Sequence, residues 1–329
     1  MTNKDIRAKL NEMWISLTAP GVETHVGSSG CVPRSFLNQN NITLSGYEFS
    51  SFHTPGENLD KNPPVLFIMR DGNIVCEHPI NTDHEMFTLP GAPEHDLSPA
   101  TQVQKILNAE PSPGFDRLSC FMRYLDLWIF GEFPRVLLAG YPTLSAFCGI
   151  DCIADPHPLN VLTRGFSRSQ PCYLRWDTLL HEYAARKPNG DKLHPHIILL
   201  GVQACNGYSN SISLGELTSI VTAMRCRAYQ PVGSAYSEDA ILTGEVEQSE
   251  DGNPAPDNEN QLAFKDETKF PVLMVSLIGP EHVRLIYACM NGTNLSLRSS
   301  ALYRLSPSEE IIWRNIAGAL LSYIVLERT

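Results

Sequence analysis

The chain has 329 residues, of which 43% are hydrophobic and 19% are charged, a composition typical of globular proteins. No apolar stretch approaches the roughly 20 residues that a membrane-spanning helix requires, and the first residues show no secretion signal, so we expect a soluble cytoplasmic protein without membrane contact. The formal net charge of −11 predicts no basic surface for a phosphate backbone, so nucleic acid is not an expected partner.

Most of the negative charge lies in one segment. Ten acidic residues and a single lysine fall between Ser237 and Glu267, beside a Gly-Asn-Pro-Ala-Pro run and few apolar residues. So polar a segment buries little surface, and we predict a long acidic surface loop over 237–267. The rest of the chain is then nearly neutral.

Residues 1–155 predict an N-terminal α+β region. Residues 4–17 carry apolar side chains at helical spacing, and residues 42–50 alternate like a half-buried strand. Two apolar runs flank Asp71-Gly72, a dipeptide typical of a hairpin turn. Two further helices are predicted in this region, over 102–107 and 115–130.

Residues 156–329 predict a C-terminal α/β region that contains the acidic loop. Residues 196–202 form a continuous apolar run of the kind found in a central strand. A helix over 211–227 opens with a capping box, in which Ser213 and Glu216 each bind the other's backbone N–H. The remaining elements are a helix or strand at 173–185, strands at 271–278, 282–289 and 295–297, and a C-terminal helix at 308–327.

These elements predict an α/β or α+β fold, in which a mixed β-sheet core is flanked by helices. The chain lacks the short motifs of nucleotide, metal and acyl-transfer sites. Cys148 and Cys152 form a C-x3-C pair with His157 nearby, but no fourth zinc ligand follows, which favours two buried thiols. His181-Glu182 lacks the second histidine of a zincin, and the two histidines of 194–196 are too close together for one metal. We therefore expect no metal and no cofactor.

The second half resembles the core of the PD-(D/E)XK nuclease-like fold over residues 170–300. It shares the order of an element with an aspartate, a turn, a buried strand and a helix. In that family an aspartate and a D/E-x-K triplet on the next strand bind a divalent metal. Asp177 takes the first place, but the triplet is Gly201-Val202-Gln203, without the acid and the lysine.

This resemblance implies a degenerate site without metal chemistry, in which Asp177 and Gln203 border one polar hollow. The alternative is that Asp177 caps a helix and Gln203 binds loop backbone. A second resemblance concerns residues 270–284, which follow the Met-Arg-Cys-Arg sequence at 224–227. The run Phe-Pro-Val-Leu-Met-Val-Ser-Leu-Ile-Gly-Pro-Glu-His-Val-Arg is similar to uncharacterised proteins of filamentous fungi, which implies a fungal origin.

Three functions remain open. The first is a cofactor-independent enzyme of fungal specialised metabolism, of the cyclase, isomerase or pericyclic type, because an apolar pocket with few polar groups leaves no motif. Its partner is an apolar small molecule, and Asp177 and Gln203 are the candidate catalytic residues. The alternatives are a catalytically degenerate nuclease-like binding domain and a non-enzymatic protein-interaction module that uses the acidic loop. The sequence does not determine the oligomeric state.

Overall fold

A computed structural model describes residues 2–48, 60–81, 83–84, 99–108, 114–131, 134–136, 140–141, 143–153, 174–185, 194–230, 232, 262–306 and 308–325. The helices in these ranges are α1 Asn3–Thr18, α2 Glu23–Val26, α3 Arg34–Gln39, α4 Ile74–Glu77, α5 Pro99–Asn108, α6 Gly114–Leu125, α7 Leu144–Cys148, α8 Leu214–Ala228 and α9 Glu310–Leu320. A 3-10 turn covers Gly27–Ser29 and a π-helical turn covers Asp126–Phe130. None of the described helices has the length and apolar character needed to cross a membrane.

The strands are β1 Ile42–Gly46, β2 Phe67–Ile68, β3 Ile150–Ile153, β4 Trp176–Tyr183, β5 Ile197–Asn206, β6 Val272–Gly279, β7 His282–Asn291, β8 Asn294–Ser299, β9 Tyr303–Arg304 and β10 Tyr323–Ile324. Eight of them form one mixed sheet in the order β1-β8-β7-β6-β5-β4-β3, with β9 on β7, while β2 and β10 pair separately. The β5–β6 and β1–β8 pairs are parallel, and the others are antiparallel. β1 and β3 precede residue 155 but pair with strands that follow it. The predicted domain boundary at residue 155 therefore does not divide the sheet.

Helices cover both faces of the sheet, as the predicted mixed-sheet fold requires. On β5, Ile198 and Leu200 point to a core shared with α5, α6 and α9, which we call the α6 face. Ile197 and Leu199 point to a core shared with α1, α3 and α8, which we call the α8 face. Side chains alternate along a strand, so burial on both faces explains the continuous apolar run of β5.

The predicted hairpin around Asp71-Gly72 is wrong. The second apolar run forms α4, because the Asp71 side chain accepts the backbone N–H of Asn73 at 2.9 Å and opens a helical turn. β2 pairs with β10 instead. A Cβ on Gly72 would overlap the backbone of Arg314, so this close approach of α9 requires glycine. The C-terminal helix is also shorter than predicted, since β10 follows it.

The end of the predicted acidic loop packs against the protein. Leu262, Ala263 and Phe264 are buried, and the Ala263 N–H donates to the Gln230 carbonyl at 2.8 Å. The guanidinium of Arg7 on α1 donates to the carbonyls of Phe264 and Lys265, both at 2.8 Å. The predicted loop therefore extends too far at its C-terminal end, while residues 237–261 lie outside the described residues.

Candidate functional site

Asp177 and Gln203 lie on opposite faces of the sheet. In the antiparallel β4–β5 pair, Trp176 is opposite Gln203 and Asp177 is opposite Val202. Residues opposite each other point to the same face, and successive residues alternate. Gln203 therefore faces α8, whereas Asp177 shares the α6 face with Val202.

Both predictions for Asp177 are therefore wrong. It does not border a polar hollow with Gln203, and it does not cap a helix, because residues 176–183 form a strand. The order β4, β5, α8 and β6 that carries the nuclease-like resemblance is present. The two side chains proposed for its degenerate site do not meet, because a shift of one residue along a strand reverses the face.

Gln203 lies beneath the first turn of α8. Its amide oxygen accepts a hydrogen bond from the Ser213 hydroxyl at 3.3 Å, whereas its amide nitrogen is buried without a partner. Gly215 lies directly above, and a Cβ there would overlap the Gln203 amide oxygen and come within 2.8 Å of the Trp176 ring. Gln203 thus binds a side chain of the helix cap rather than loop backbone.

A buried ion pair joins the start of α8 to the sheet. The Glu216 carboxylate accepts hydrogen bonds from two nitrogens of Arg284, of which Nε lies at 2.8 Å, and from the Ser213 backbone N–H at 2.8 Å. Burial opposes ionisation of Glu216, but the charge of Arg284 and the hydrogen bonds that the carboxylate accepts together keep its pKa below the usual value. A second buried pair, Glu182 with Arg227, joins the end of α8 to β4. These two pairs position α8 on the sheet.

The α6 face contains a buried histidine of a different kind. His181 on β4 has no exposed surface, and its ring stacks on Phe130 with 3.7 Å between the centroids. Neither ring nitrogen has a hydrogen-bond partner. Burial lowers the pKa of His181 to about 3, so its imidazole is neutral at physiological pH.

Two further groups complete what we call the His181 cluster: His181, Phe130, Cys152 and Asp126. Cys152 on β3 is directly opposite His181 and points to the same face. Cys152 is exposed overall, but partial desolvation, and then the charge of Asp126, raise the pKa of its thiol. Burial also raises the pKa of Asp126, which belongs to the same π-helical turn as Phe130. Such turns occur frequently at functional sites.

The cluster has the elements of acid–base chemistry. A neutral imidazole offers one donor and one acceptor, and a carboxyl group of raised pKa is a stronger base than an ordinary aspartate. Burial shifts the pKa values of His181 and Asp126 in opposite directions, and such opposite shifts are found in acid–base sites. In the described ranges no three His, Cys, Asp or Glu side chains are grouped to hold a metal ion.

The sequence pointed to the wrong members of this region. Of the two cysteines predicted to be buried, Cys148 is buried but Cys152 is exposed; His157 lies outside the described residues. In the sequence, His181 stands out only as half of a zincin motif. If residues 176–183 are taken as a strand, the alternation of side chains places His181 on the sheet face opposite α8. The sequence of the same residues is also compatible with a helix, so the sequence alone does not identify this face.

No protein-family model matches the chain, and neither the curated proteins nor the solved structures contain a significant match to it. Its function must therefore be inferred from the geometry of its own residues.

Proposed function

We propose that the chain is a cofactor-independent enzyme of the isomerase or cyclase type, which acts on an apolar small molecule at the His181 cluster. The observation that carries this proposal is the fully buried, neutral imidazole whose two nitrogens lack hydrogen-bond partners. A buried polar group without a partner costs about 1–3 kcal/mol. A substrate oxygen that accepts the imidazole N–H would offset part of this cost.

The members of the cluster have distinct roles in this proposal. The His181 N–H donates to a carbonyl oxygen of the substrate and stabilises the negative charge that develops there. Asp126 removes a proton from the adjacent carbon and returns it to another carbon. Atoms and electrons balance within the substrate, so neither oxidant nor cofactor takes part. The ring of Phe130 provides an apolar wall.

The class of substrate follows from the surroundings. Phe121, Leu125 and Ile129 are buried on the same core as the cluster, which favours a largely hydrocarbon substrate with few polar groups. The resemblance of residues 270–284 to proteins of filamentous fungi implies a fungal origin only, and we extend the proposal to a role in fungal specialised metabolism in the cytoplasm.

The proposal is tested by incubating the purified protein, without added cofactor, with fractionated apolar metabolites in H2O and in D2O. We expect at least one compound to give an isomer of equal mass in H2O that carries added deuterium in D2O, as measured by chromatography and mass spectrometry. His181→Leu, a change of similar volume, should abolish the conversion, whereas the control His84→Leu should not. Conversion that is equal in His181→Leu, or absent from the wild-type protein, would overturn the proposal.

A further inference from the structure

A second unusual group of polar side chains lies between α1 and α8, on the other side of the sheet. Thr218, Thr222 and Arg225 are spaced four and three residues apart on α8, which places them on one side of the helix. The Trp14 indole N–H donates to the Thr222 hydroxyl at 3.2 Å, and Arg225 Nε donates to Asn11 Oδ1 at 2.8 Å. We call Thr218, Thr222 and Arg225 the Arg225 stripe.

The guanidinium of Arg225 is almost completely buried. Its side chain is 2% exposed, its central carbon lies 4.2 Å from the centroid of the Trp14 ring, and Tyr229 lies at 5.8 Å. Arg225 Nη2 is buried without a hydrogen-bond partner, and so is the hydroxyl of Thr218. The stripe therefore contains two unsatisfied polar atoms on one side of one helix.

The other buried arginines on this face bind a carboxylate or several backbone carbonyls. Arg227 pairs with Glu182, Arg284 pairs with Glu216, and Arg7 donates to three backbone carbonyls. No carboxylate of the described residues forms an ion pair with Arg225, and burial lowers its pKa. A buried cation without a counter-charge is costly, by several kcal/mol in real proteins. A bound anion would supply the counter-charge that Arg225 lacks.

We propose that the Arg225 stripe binds the oxyanion of a small molecule, a carboxylate or a phosphate. The planar guanidinium donates through Nη2 to the anion, and the Trp14 ring holds the guanidinium plane in place. Thr218 lies roughly 10 Å further along the helix axis, at 1.5 Å per residue, and binds a second polar group of a longer ligand. This site is separate from the His181 cluster, so either proposal can fail without the other.

Trp14 provides a direct probe, because its indole N–H binds Thr222 within the stripe. The full-length 15N-labelled protein is titrated with inorganic phosphate and, separately, with acetate, at constant ionic strength set by chloride. We expect a saturable shift of the Trp14 indole signal, assigned by its loss in Trp14→Phe. A response to phosphate alone identifies a phosphate site, and a response to acetate identifies a carboxylate site.

Arg225→Gln should weaken anion binding at least tenfold, because it removes the charge and the fork of donors. Arg225→Lys, which keeps the charge, should weaken it less. The matched control is Arg304→Gln, an exposed arginine on β9 whose loss should leave the titration unchanged. The proposal is overturned if neither anion shifts the wild-type Trp14 signal beyond the chloride control. It is also overturned if folded Arg225→Gln responds as strongly as the wild-type protein.

Discussion

Glu216 and Glu182 on one face of the sheet and His181 on the other are buried in opposite ways. On the α8 face, the buried carboxylates of Glu216 and Glu182 each meet an arginine. On the α6 face, His181 is buried to the same degree and has no hydrogen bond at all. The first arrangement keeps its groups ionised through partners, whereas the second keeps its group neutral through desolvation.

This difference separates a structural role from a functional one. A paired buried charge fixes one geometry, because moving either partner leaves the other uncompensated. An unpaired neutral imidazole lowers stability, and this cost is the reason that we propose a functional role for His181. Arg225 is the exception on the α8 face, and for the same reason it marks a binding site.

The largest expected effect comes from breaking the ion pair of the α8 face. Arg284→Met leaves the Glu216 carboxylate buried without its cation and should lower the free energy of unfolding by about 4 kcal/mol, as measured by urea denaturation. The double variant Glu216→Gln, Arg284→Met should recover part of this loss. Equal stability of the single variant and the wild-type protein would mean that the pair is not formed.

A second prediction concerns residues 262–264, where the end of the predicted acidic loop packs against the α8 face. Replacing residues 240–264 by a short Gly-Ser linker removes buried Leu262 and Phe264 and should cost about 3 kcal/mol of unfolding free energy. The matched replacement of residues 240–261 retains both side chains, and its polar composition predicts a much smaller loss. Similar thermal denaturation of the two proteins would contradict the packing of 262–264.

A third variant tests the close contact at the start of α8. Gly215→Ala places a methyl group against the Gln203 amide and the Trp176 ring, and overpacking of this kind should cost about 2 kcal/mol. Adding Gln203→Ala provides space, so the double variant should lose less stability than the two single losses added together. Additive losses in a double-mutant cycle would show that the two residues do not touch.

The smallest effect is a pH dependence that belongs to the α6 face. Unfolded His181 has a pKa near 6.5 and the folded residue one of about 3, so between these values the unfolded state binds more protons. The contribution of the neutral His181 ring to the free energy of unfolding is therefore complete above pH 6.5 and is lost as the pH falls toward 3. At pH 5.5 the free energy of unfolding of the wild-type protein should be about 1.4 kcal/mol lower than at higher pH, and His181→Leu should not show this loss. Parallel pH profiles of the two proteins would show that the folded ring protonates normally.

The sequence by itself determined those helices and strands whose patterns involve residues close together in the chain. The capping box of Ser213 and Glu216 lies within one helical turn, and both of its hydrogen bonds are present. The amphipathic spacing of residues 4–17 predicted α1, and the apolar runs predicted β5, β6 and β7. These patterns also sufficed for the mixed sheet flanked by helices, because each apolar face must be buried against another element.

Tertiary structure alone decided which polar side chains meet. Asp177 and Gln203 were separated by the register of β4 on β5, in which one residue reverses the face. His181 was joined to Phe130 and Cys152 by a helical turn and an edge strand far away in sequence. Glu216 likewise meets Arg284 across 68 residues. Contacts of this range depend on strand pairing and packing, which no local pattern of residues encodes.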